Sequence, residues 1–469
     1  MIRPVKKGSA MQTRRTLLKS SLALGGIGAG LGALPGPLAQ MGALAQTGGY
    51  KALVCVFLEG GMDCHDTLIP TDAEGYAAWA GARGRLLSDY EEQGDDSRRR
   101  EALIPLGGTA SGHAIGLPRQ MAPLADLYGV GRLGIVANVG PSEGIATAAD
   151  IKAGRAKTPR RLMSHNDQQS FWETSSLEGT PTGWAGRMQD ALSAQGSPYS
   201  AISVGGPATF LAGQRTVPFA MNRQGPVALH GEAGWAYGHS GVKEIMEAHY
   251  RAGAARMDNI LASDFKTEQR RAVEATLELH GLMEASRVGD ELIDGEDEIA
   301  QQFATIAKII SLRSRLSVHR QTFFVKLGGF DTHKDQAKAL PGLQARLAKA
   351  MAAFYRHTVD QGLAQDVTTF TASEFGRTLT PNDSGTDHGW GGHHMVMGGA
   401  VAGGRVHGQL PDAGLGHAQD HGRGRLVPTM ATEQYAAALG SWFGVDRAGL
   451  AEALPKLSRF DVPPALFRS

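Results

Sequence analysis

The sequence contains little of what marks several common protein classes. Cysteine occurs twice in 469 residues, as Cys55 and Cys64, so no framework of disulfides stabilises the fold. The 47 basic and 46 acidic residues give a formal net charge of +1, so no overall field attracts nucleic acid or an anionic membrane, and any anion must be bound locally. Hydrophobic residues make up 42% of the chain and charged residues 20%, which is the composition of a large globular protein.

Two common catalytic motifs are absent as well. The sequence has no glycine-rich phosphate loop followed by Lys-Ser or Lys-Thr and no G-x-S-x-G turn, which excludes a P-loop nucleotide site and a nucleophile-elbow serine hydrolase. Glycine itself is abundant, with 63 residues. Much of it stands in short loops beside polar residues, where a backbone turns sharply or approaches a ligand.

Long apolar runs occur only near the N-terminus. There, Arg14 and Arg15 precede a glycine-rich apolar run that Pro35 and Pro37 interrupt, and the cleavage pattern Ala-Leu-Ala ends at residue 45. This arrangement resembles a twin-arginine export signal and argues against a membrane anchor. We therefore expect residues 1–45 to be a signal peptide, residues 46–469 to form a single domain, and the product to be periplasmic or extracellular without a transmembrane anchor after signal removal.

Apolar runs alternate with helical patterns along the rest of the chain. The run KALVCVFL (51–58) is typical of a buried parallel strand, and helical spacing follows at 117–130 and again from Trp184. Further strands are predicted at 132–140, 199–206, 321–329 and 366–372. This rhythm predicts an α/β fold with a mostly parallel central sheet and helices on both faces. Residues from about 240 to 318 are helical in pattern and are expected to form an inserted layer.

Residues that bind metals or transfer protons follow four of these segments. In open α/β sheets, ligands bind at the carboxyl ends of the strands, so we expect these residues to converge. The stretch SGTDHGWGGHH (384–394) adds three histidines and an aspartate among glycines. Imidazole and carboxylate are suited to divalent metals. The candidate metal ligands are Asp63, Asp331, His333, Asp387, His388 and His393.

Five motifs in this order, VFLEGGMD, SHNDQQSFWET, KLGGFDTH, SEFGRT and GTDHGWGGHH, resemble a large family of exported bacterial proteins of unknown function within the alkaline-phosphatase-like superfamily. The resemblance covers nearly all of the mature chain and implies an alkaline-phosphatase-like fold with one or two divalent metals. It makes Asp63 the aspartate after the first strand and Asp331 with His333 a later ligand pair. Phe375 stands where another ligand is expected, so either the 387–393 loop supplies the missing ligands or one metal is bound.

The resemblance also implies a nucleophile at the start of a helix. Ser164 and His165 are the two alternatives, and an N-cap role for Ser164 is equally open. Glu374 is expected to be a ligand or general base, and Arg377 to bind a planar oxyanion, as Arg161 also would. Zinc is the expected cofactor for a mixed shell of histidine and carboxylate, with manganese or calcium favoured if carboxylates dominate.

These expectations lead to two functional hypotheses. The first is a metal-dependent hydrolase of phosphate or sulfate esters in the cell envelope, acting on a small-molecule or glycan ester. The second is a protein that keeps the fold and a metal but has lost hydrolysis, and binds a partner or glycan in the envelope. The sequence predicts no nucleic-acid partner under either hypothesis and makes no prediction of oligomeric state.

Overall fold

The computed structural model describes residues 49–110, 112–176, 179–193, 196–226 and 260–468. The predicted signal peptide and the first part of the predicted helical insert lie outside these ranges. The strands, in chain order, are β1 (Lys51–Leu58), β2 (Ile69–Pro70), β3 (Ile104–Ala110), β4 (His113–Leu117), β5 (Leu133–Gly140), β6 (Ala201–Ser203), β7 (Phe219–Ala220), β8 (Arg320–Leu327), β9 (Val367–Ala372), β10 (Arg377–Pro381), β11 (Thr386–His388), β12 (Gly392–Met397), β13 (Val406–His407) and β14 (Met430–Ala431).

Helices surround these strands. In chain order they are α1 (Ala73–Glu92), α2 (Ala122–Gly129), α3 (Ala148–Lys152), α4 (His165–Thr174), α5 (Trp184–Leu192), α6 (Ile260–Glu284), α7 (Glu298–Ser311), α8 (Gln336–Asp360), α9 (Thr432–Phe443) and α10 (Arg447–Ala453). Among the described ranges, no helix combines the length and the apolar character that crossing a membrane requires.

The described residues build a central sheet of nine strands. Its order is β13-β5-β12-β9-β1-β8-β6-β7, with β14 beside β5. Strand β1 pairs in parallel with both β8 and β9, and β6 continues the parallel run beyond β8. Strand β12 is antiparallel to both of its neighbours, β5 and β9. The sheet is therefore mostly parallel, as the sequence predicts.

The two faces of β1 are buried against different helices. Val54 and Val56 belong to a core that includes Leu124 of α2, Phe303 of α7 and Met351 of α8. The alternate residues of the same strand, Leu53, Cys55 and Phe57, belong to a second core with side chains of α4, α5 and α9. Because successive strand residues point to opposite faces, this division shows helices on both sides of the sheet. The predicted α/β architecture is confirmed.

The described part of the predicted helical insert is helical, but it belongs to the main core. Helix α7 buries Ile299, Phe303 and Ile306 in the same cluster as the central strand. Near the C-terminus, α9 begins at Thr432 and Ala431 is its N-cap residue. The backbone N–H of Ala431 donates to the side chain of Gln434 at 2.9 Å.

The register of the parallel strands brings three loops together. Leu58 at the end of β1 is opposite Leu327 of β8, and Phe57 is opposite Ala372 of β9. The segments that follow these strands, residues 59–66, 328–335 and 373–376, therefore leave the sheet at the same edge. Four of the predicted site residues stand in these segments: Asp63, Asp331, His333 and Glu374.

Candidate metal centre

Three of the predicted site residues form a compact cluster. In the described part of the chain, one ligand atom from each of His165, Asp331 and His388 lies within 4.8 Å of the others. The Nε2 atom of His165 is 3.5 Å from Oδ2 of Asp331, and Nε2 of His388 is 3.2 Å from Oδ1 of the same carboxylate. His165 begins α4, Asp331 follows β8, and His388 ends β11. Three distant parts of the chain thus supply the cluster.

Hydrogen bonds behind the two histidines determine which ring nitrogen faces the cluster. Nδ1 of His388 is 2.8 Å from the carbonyl oxygen of Met163, and Nδ1 of His165 is 2.8 Å from Oε1 of Glu374. Because a carbonyl or carboxylate oxygen accepts, each Nδ1 carries the hydrogen. In the neutral ring, Nε2 then presents its lone pair towards Asp331. This is the arrangement that metal-binding histidines adopt.

The charges around the cluster favour an ionised Asp331 and a neutral His388. Burial alone would raise the pKa of Asp331, but the hydrogen bond and charge of Arg377, with His333 and His388, hold it below its usual value. Burial lowers the pKa of His388, and the positive charge of Arg377 lowers it further. The hydrogen bond that His165 donates to Glu374 has the opposite effect and raises the pKa of His165.

His333 stands at the edge of the cluster. Its Nε2 atom is 3.1 Å from Oδ1 of Asp331 and 2.9 Å from Nε2 of His388. Two imidazole nitrogens at this distance need a proton or a cation between them, because two lone pairs repel. The side chain is 41% exposed, so His333 is the most accessible imidazole of the group and faces an incoming ligand.

Strained backbone precedes the helix that carries His165. Arg161 and Met163 have φ angles of 52° and 69°, in the left-handed region that residues other than glycine rarely adopt. The carbonyl of Met163 is the group that receives the hydrogen bond from His388. The strain therefore places the acceptor that fixes the orientation of His388.

Two glycines after β1 allow the first loop to approach the cluster. Gly60 and Gly61 have φ angles of 117° and 86°. A Cβ atom at Gly60 would lie 2.1 Å from the backbone nitrogen of Asp331, and one at Gly61 would lie 2.5 Å from the ring of Phe375. That ring stacks on His388, with centroids 4.5 Å apart. Phe375 cannot bind a metal, but it supports a histidine that can.

Asp63 has a different environment from the one predicted for a metal ligand. Its Oδ1 and Oδ2 atoms each accept a hydrogen bond from Arg83 at 2.8 Å, and Gln336 donates to Oδ2 at 2.7 Å. Burial would raise the pKa of Asp63, but the charge and hydrogen bonds of Arg83 keep it low. Asp63 and Arg83 are both 0% exposed. The structure thus pairs this carboxylate with an internal cation and leaves it out of the cluster.

Arg377 does not present its guanidinium to a substrate. It is fully buried, and Nη1 donates to Asp331 at 2.7 Å and to the carbonyl of Gly60 at 3.0 Å. Nε donates to Oγ1 of Thr386 at 3.2 Å, and Nη2 donates to the carbonyl oxygen of the same residue. The predicted oxyanion contact is therefore replaced by structural ones. Arg377 fixes the carboxylate of Asp331 and partly neutralises it.

Glu374 lies behind His165 and not beside Asp331. The side chain is 1% exposed, and Oε1 accepts a hydrogen bond from the backbone of Gly60 at 2.8 Å as well as the one from His165. Both contacts use the same oxygen. Through this contact Glu374 orients the imidazole of His165, and its role as ligand or general base stays a prediction.

Asp387 and His393 lie outside the cluster as well. Asp387 pairs with Arg423, accepts from Asn382 at 3.0 Å, and is 3.5 Å from Nδ1 of His333. His393 is buried in β12, where the pairing with β5 shifts register, and its Nδ1 accepts the backbone N–H of Asn138 at 3.0 Å. Burial lowers the pKa of His393 to about 3. It satisfies an amide that the irregular pairing would leave unpaired.

Ser164 occupies the N-cap position of α4 without capping it. Its hydroxyl donates to Oδ2 of Asp167 at 2.8 Å and makes no hydrogen bond to the helix backbone. Arg161 reaches the same carboxylate at 3.4 Å, with a side chain that is 71% exposed. The serine is half-buried, next in sequence to the clustered His165. Its hydroxyl is thus held by a potential proton acceptor at the border of the site.

Cys64 does not contribute to the site. Its side chain is fully buried, and burial raises the pKa of the thiol to about 12. A thiol with such a pKa remains protonated and is a poor metal ligand. Cys55 is buried too, and both cysteines are free thiols.

Sequence reasoning missed three residues that shape the site. Arg83 continues the buried face of α1, which also includes Trp79, Leu86 and Tyr90. An arginine on an otherwise apolar stripe was the available signal, because a buried cation needs an internal partner. Gln336 and Met163 act through an amide and a backbone carbonyl, for which the sequence has no comparable pattern.

Comparisons with known proteins agree with the sequence motifs at the level of the family. The model of the family described as "Protein of unknown function (DUF1501)" matches residues 50–423. A comparison with curated proteins gave no match. Among solved structures, the lipoteichoic acid synthase LtaP from Listeria monocytogenes is 8% identical with a TM-score of 0.31, covering 87% of this chain and 78% of that one. Alkaline phosphatase from Thermus thermophilus is 12% identical with a TM-score of 0.26, covering 74% of this chain and 64% of that one. Because the family model spans most of the sequence, the chain belongs to the DUF1501 family.

Proposed function

We propose that this protein is a metal-dependent hydrolase of phosphate or sulfate esters. One observation carries the proposal: the Nε2 atoms of His165 and His388 turn towards the carboxylate of Asp331, while hydrogen-bond acceptors occupy their Nδ1 atoms. Lone pairs directed at an ionised carboxylate repel it unless a proton or a metal ion lies between them, and only a metal ion can be shared by all three groups at once. The arrangement therefore favours a bound metal ion over a merely polar surface.

The donor set fits zinc better than a harder ion. Two imidazoles and one carboxylate are the ligands of several catalytic zinc sites, and such sites keep a coordination position for water or substrate. Calcium and manganese prefer shells richer in oxygen, and one carboxylate is too few. When bound, the ion supplies Lewis acidity, which lowers the pKa of a coordinated hydroxyl or water and offsets charge on phosphoryl or sulfuryl oxygens.

The surrounding side chains have separate roles in this proposal. Ser164 is the nucleophile, and its proton passes to Asp167, with which it already shares a hydrogen bond of 2.8 Å. His165 serves as a ligand, because Nδ1 is held by Glu374 and Nε2 faces Asp331. Water then hydrolyses the ester formed on the serine.

The leaving alkoxide needs a proton donor, and His333 is in the position to supply it. It is the most exposed imidazole of the group, and its Nε2 atom lies 3.1 Å from Oδ1 of Asp331, at the open side of the cluster. Glu374 has no part in the proton transfers. Its fixed hydrogen bond keeps the His165 ring in one orientation throughout.

Location in the cell envelope is a further part of the proposal. The sequence resembles a twin-arginine signal over residues 1–45, with Arg14 and Arg15 before the apolar run. The twin-arginine route carries folded proteins, which suits a protein that acquires its metal before export. The mature enzyme would comprise residues 46–469 and act on esters outside the cytoplasm.

The second candidate, a protein that has kept a metal but lost hydrolysis, is favoured by the buried arginines. Arg83 occupies both oxygens of Asp63, and Arg377 binds Asp331. Internal cations thus stand beside two carboxylates that were expected to bind metal. Under this alternative, the cluster would fix the geometry of a surface that binds a glycan or a partner.

Metal content and ester hydrolysis together distinguish the two candidates. Purified full-length protein would be analysed for metals and then assayed with aryl phosphate and aryl sulfate esters, with and without chelator. We expect about one zinc ion per chain and hydrolysis that chelation abolishes and zinc restores. The variant His388→Ala should lose both the bound zinc and the hydrolysis. The control His280→Ala, which removes a partly exposed histidine on α6, should keep both. Metal without hydrolysis of any ester would support the binding protein instead.

A further inference from the structure

An exposed basic segment borders the cluster. Residues 152–161, KAGRAKTPRR, contain five cations and no acidic residue. Lys152, Lys157 and Arg160 are exposed, and within the described ranges no ion pair involves any of them. Arg155 pairs with Asp150 just before the segment. Three positive charges are therefore available to a ligand.

The chain path connects this basic segment directly to the metal ligands. It ends three residues before Ser164, and the carbonyl of Met163 between them accepts a hydrogen bond from His388. At its other end, α3 contacts a second loop, because the backbone N–H of Ala148 donates to Ala418 at 2.8 Å. That loop continues to Arg425, whose Nε donates to the carbonyl of His388 at 3.0 Å. The basic segment thus leads directly into the loop and helix that carry cluster contacts, and the helix before it contacts a loop that reaches His388.

The cluster itself is open at the surface. The side chains of Asp331, His333 and His165 are 43%, 41% and 36% exposed. A site that encloses a small molecule usually removes most of the ligand surface from water. Exposure of this degree leaves room for a polymeric ligand that extends from the cluster on both sides of the reacting ester.

We propose that Lys152, Lys157 and Arg160 form a binding surface for an anionic polysaccharide, with sulfate or phosphate groups beyond the one that is cleaved. The proposal rests on the proposed hydrolysis for the identity of the scissile ester. A polymer with repeated charges can place one ester at the cluster and neighbouring esters against the basic segment. Each contact adds to the affinity without requiring an enclosed pocket.

The composition of the segment favours a polysaccharide over other polyanions. Residues 152–161 include no aromatic side chain on which a nucleobase could stack, which binding to single-stranded nucleic acid commonly uses. They also include no large apolar side chain to insert into a membrane surface. Cations separated by small residues are suited to charged groups on a flexible polar chain.

The test measures binding of the full-length protein to heparin, a sulfated polysaccharide, by titration at low salt. The triple variant Lys152→Gln, Lys157→Gln, Arg160→Gln should bind with a Kd raised roughly tenfold or more, and it should elute from immobilised heparin at lower salt. The matched control removes three exposed cations on other helices, with Arg85→Gln, Arg271→Gln and Lys349→Gln. This control should stay within about twofold of the wild type.

Two results would overturn the proposal. One is a failure of the variants to differ: an equal Kd for the wild type and the triple variant would show that the three cations do not contribute, and an equal loss in the control would assign binding to overall charge. The other is equally tight binding of single-stranded DNA or of vesicles of anionic phospholipid, with the same dependence on the three cations. Either ligand would then replace the polysaccharide as the favoured occupant.

The same variants separate this proposal from that of hydrolysis. If the wild type cleaves both an aryl ester and a sulfated oligosaccharide, the triple variant should raise KM for the oligosaccharide at least about fivefold. If no ester is cleaved but the difference in heparin affinity persists, the hydrolase proposal fails and the binding surface stands. If esters are cleaved but the triple variant has an unchanged heparin affinity and an unchanged KM, the binding surface fails and the hydrolase proposal stands.

Discussion

The buried pair of Asp63 and Arg83 allows a quantitative test of the corrected role of Asp63. Replacing Arg83 by methionine keeps a long side chain in the helix but leaves Asp63 charged and away from water. Both side chains are 0% exposed, and two hydrogen bonds of 2.8 Å join them. Removing one member of such a pair costs about 3–5 kcal/mol. Because Gln336 still donates to Asp63 at 2.7 Å, we expect the lower end, about 3 kcal/mol.

A double-mutant cycle isolates the interaction between the two residues. The variants are Arg83→Met, Asp63→Asn and their combination, and urea unfolding would be followed by tryptophan fluorescence. Trp79, one turn before Arg83 and buried, donates to the carbonyl of His65 at 2.8 Å and reports on this region. The double variant should lose little more stability than the less stable of the two single variants, which gives a coupling energy of about 2–3 kcal/mol. Additive effects, or loss of bound metal from Asp63→Asn, would refute the structural role.

Three further predictions concern pH, metal affinity and catalysis. Burial lowers the pKa of His393 and His394 to about 3 from the usual 6.5, so the unfolded chain takes up their protons first, and stability falls as pH decreases from 6.5 towards 3. Between pH 7.5 and pH 5, the free energy of unfolding measured with urea should therefore fall by about 2 kcal/mol less in His394→Phe than in the wild type. Equal decreases in the two proteins would contradict this. Glu374→Gln should weaken zinc binding by about 10–100-fold in chelator competition, because it changes the partner of His165, and an unchanged affinity would remove its orienting role. Ser164→Ala should lower ester hydrolysis at least about 100-fold with full metal content; normal turnover would assign the attack to water.

The fold was largely predictable from the sequence because its strands are buried on both faces. Parallel strands covered by helices give continuous apolar runs, and KALVCVFL became β1 (Lys51–Leu58) with unchanged bounds. The loops after β1, β8 and β9 were also placed correctly at one edge of the sheet. That edge follows from the parallel pairing alone.

The site was predictable in part, since residue type indicates chemistry but not partner. His165, Asp331 and His388 meet, while Asp63 turns to Arg83 and His393 turns to a backbone amide. An aspartate after a strand looks the same in sequence whether its partner is a metal or a buried arginine. Only the packing of α1 against the first loop decides between them. A suitable residue type at the end of a strand therefore does not by itself make a residue a metal ligand.

The register shift beside His393 shows the same limit in the backbone. Asn138 has a φ angle of 50°, and its N–H finds Nδ1 of His393 where the pairing of β5 and β12 is irregular. A sequence pattern of alternating residues does not reveal such an irregularity. The residue type of His393 predicts a metal ligand, whereas its position in β12 makes it the acceptor for a backbone amide of β5.

The proposed function depends on one divalent ion that His165, Asp331 and His388 would hold together. An anomalous difference map at the zinc absorption edge, from crystals of the zinc-loaded protein, tests it most directly. We expect a peak within coordination distance of Nε2 of both histidines and of the Asp331 carboxylate, and no peak at Asp63. A peak at Asp63 in place of the Arg83 contact, or no peak at the three-residue cluster, would contradict it.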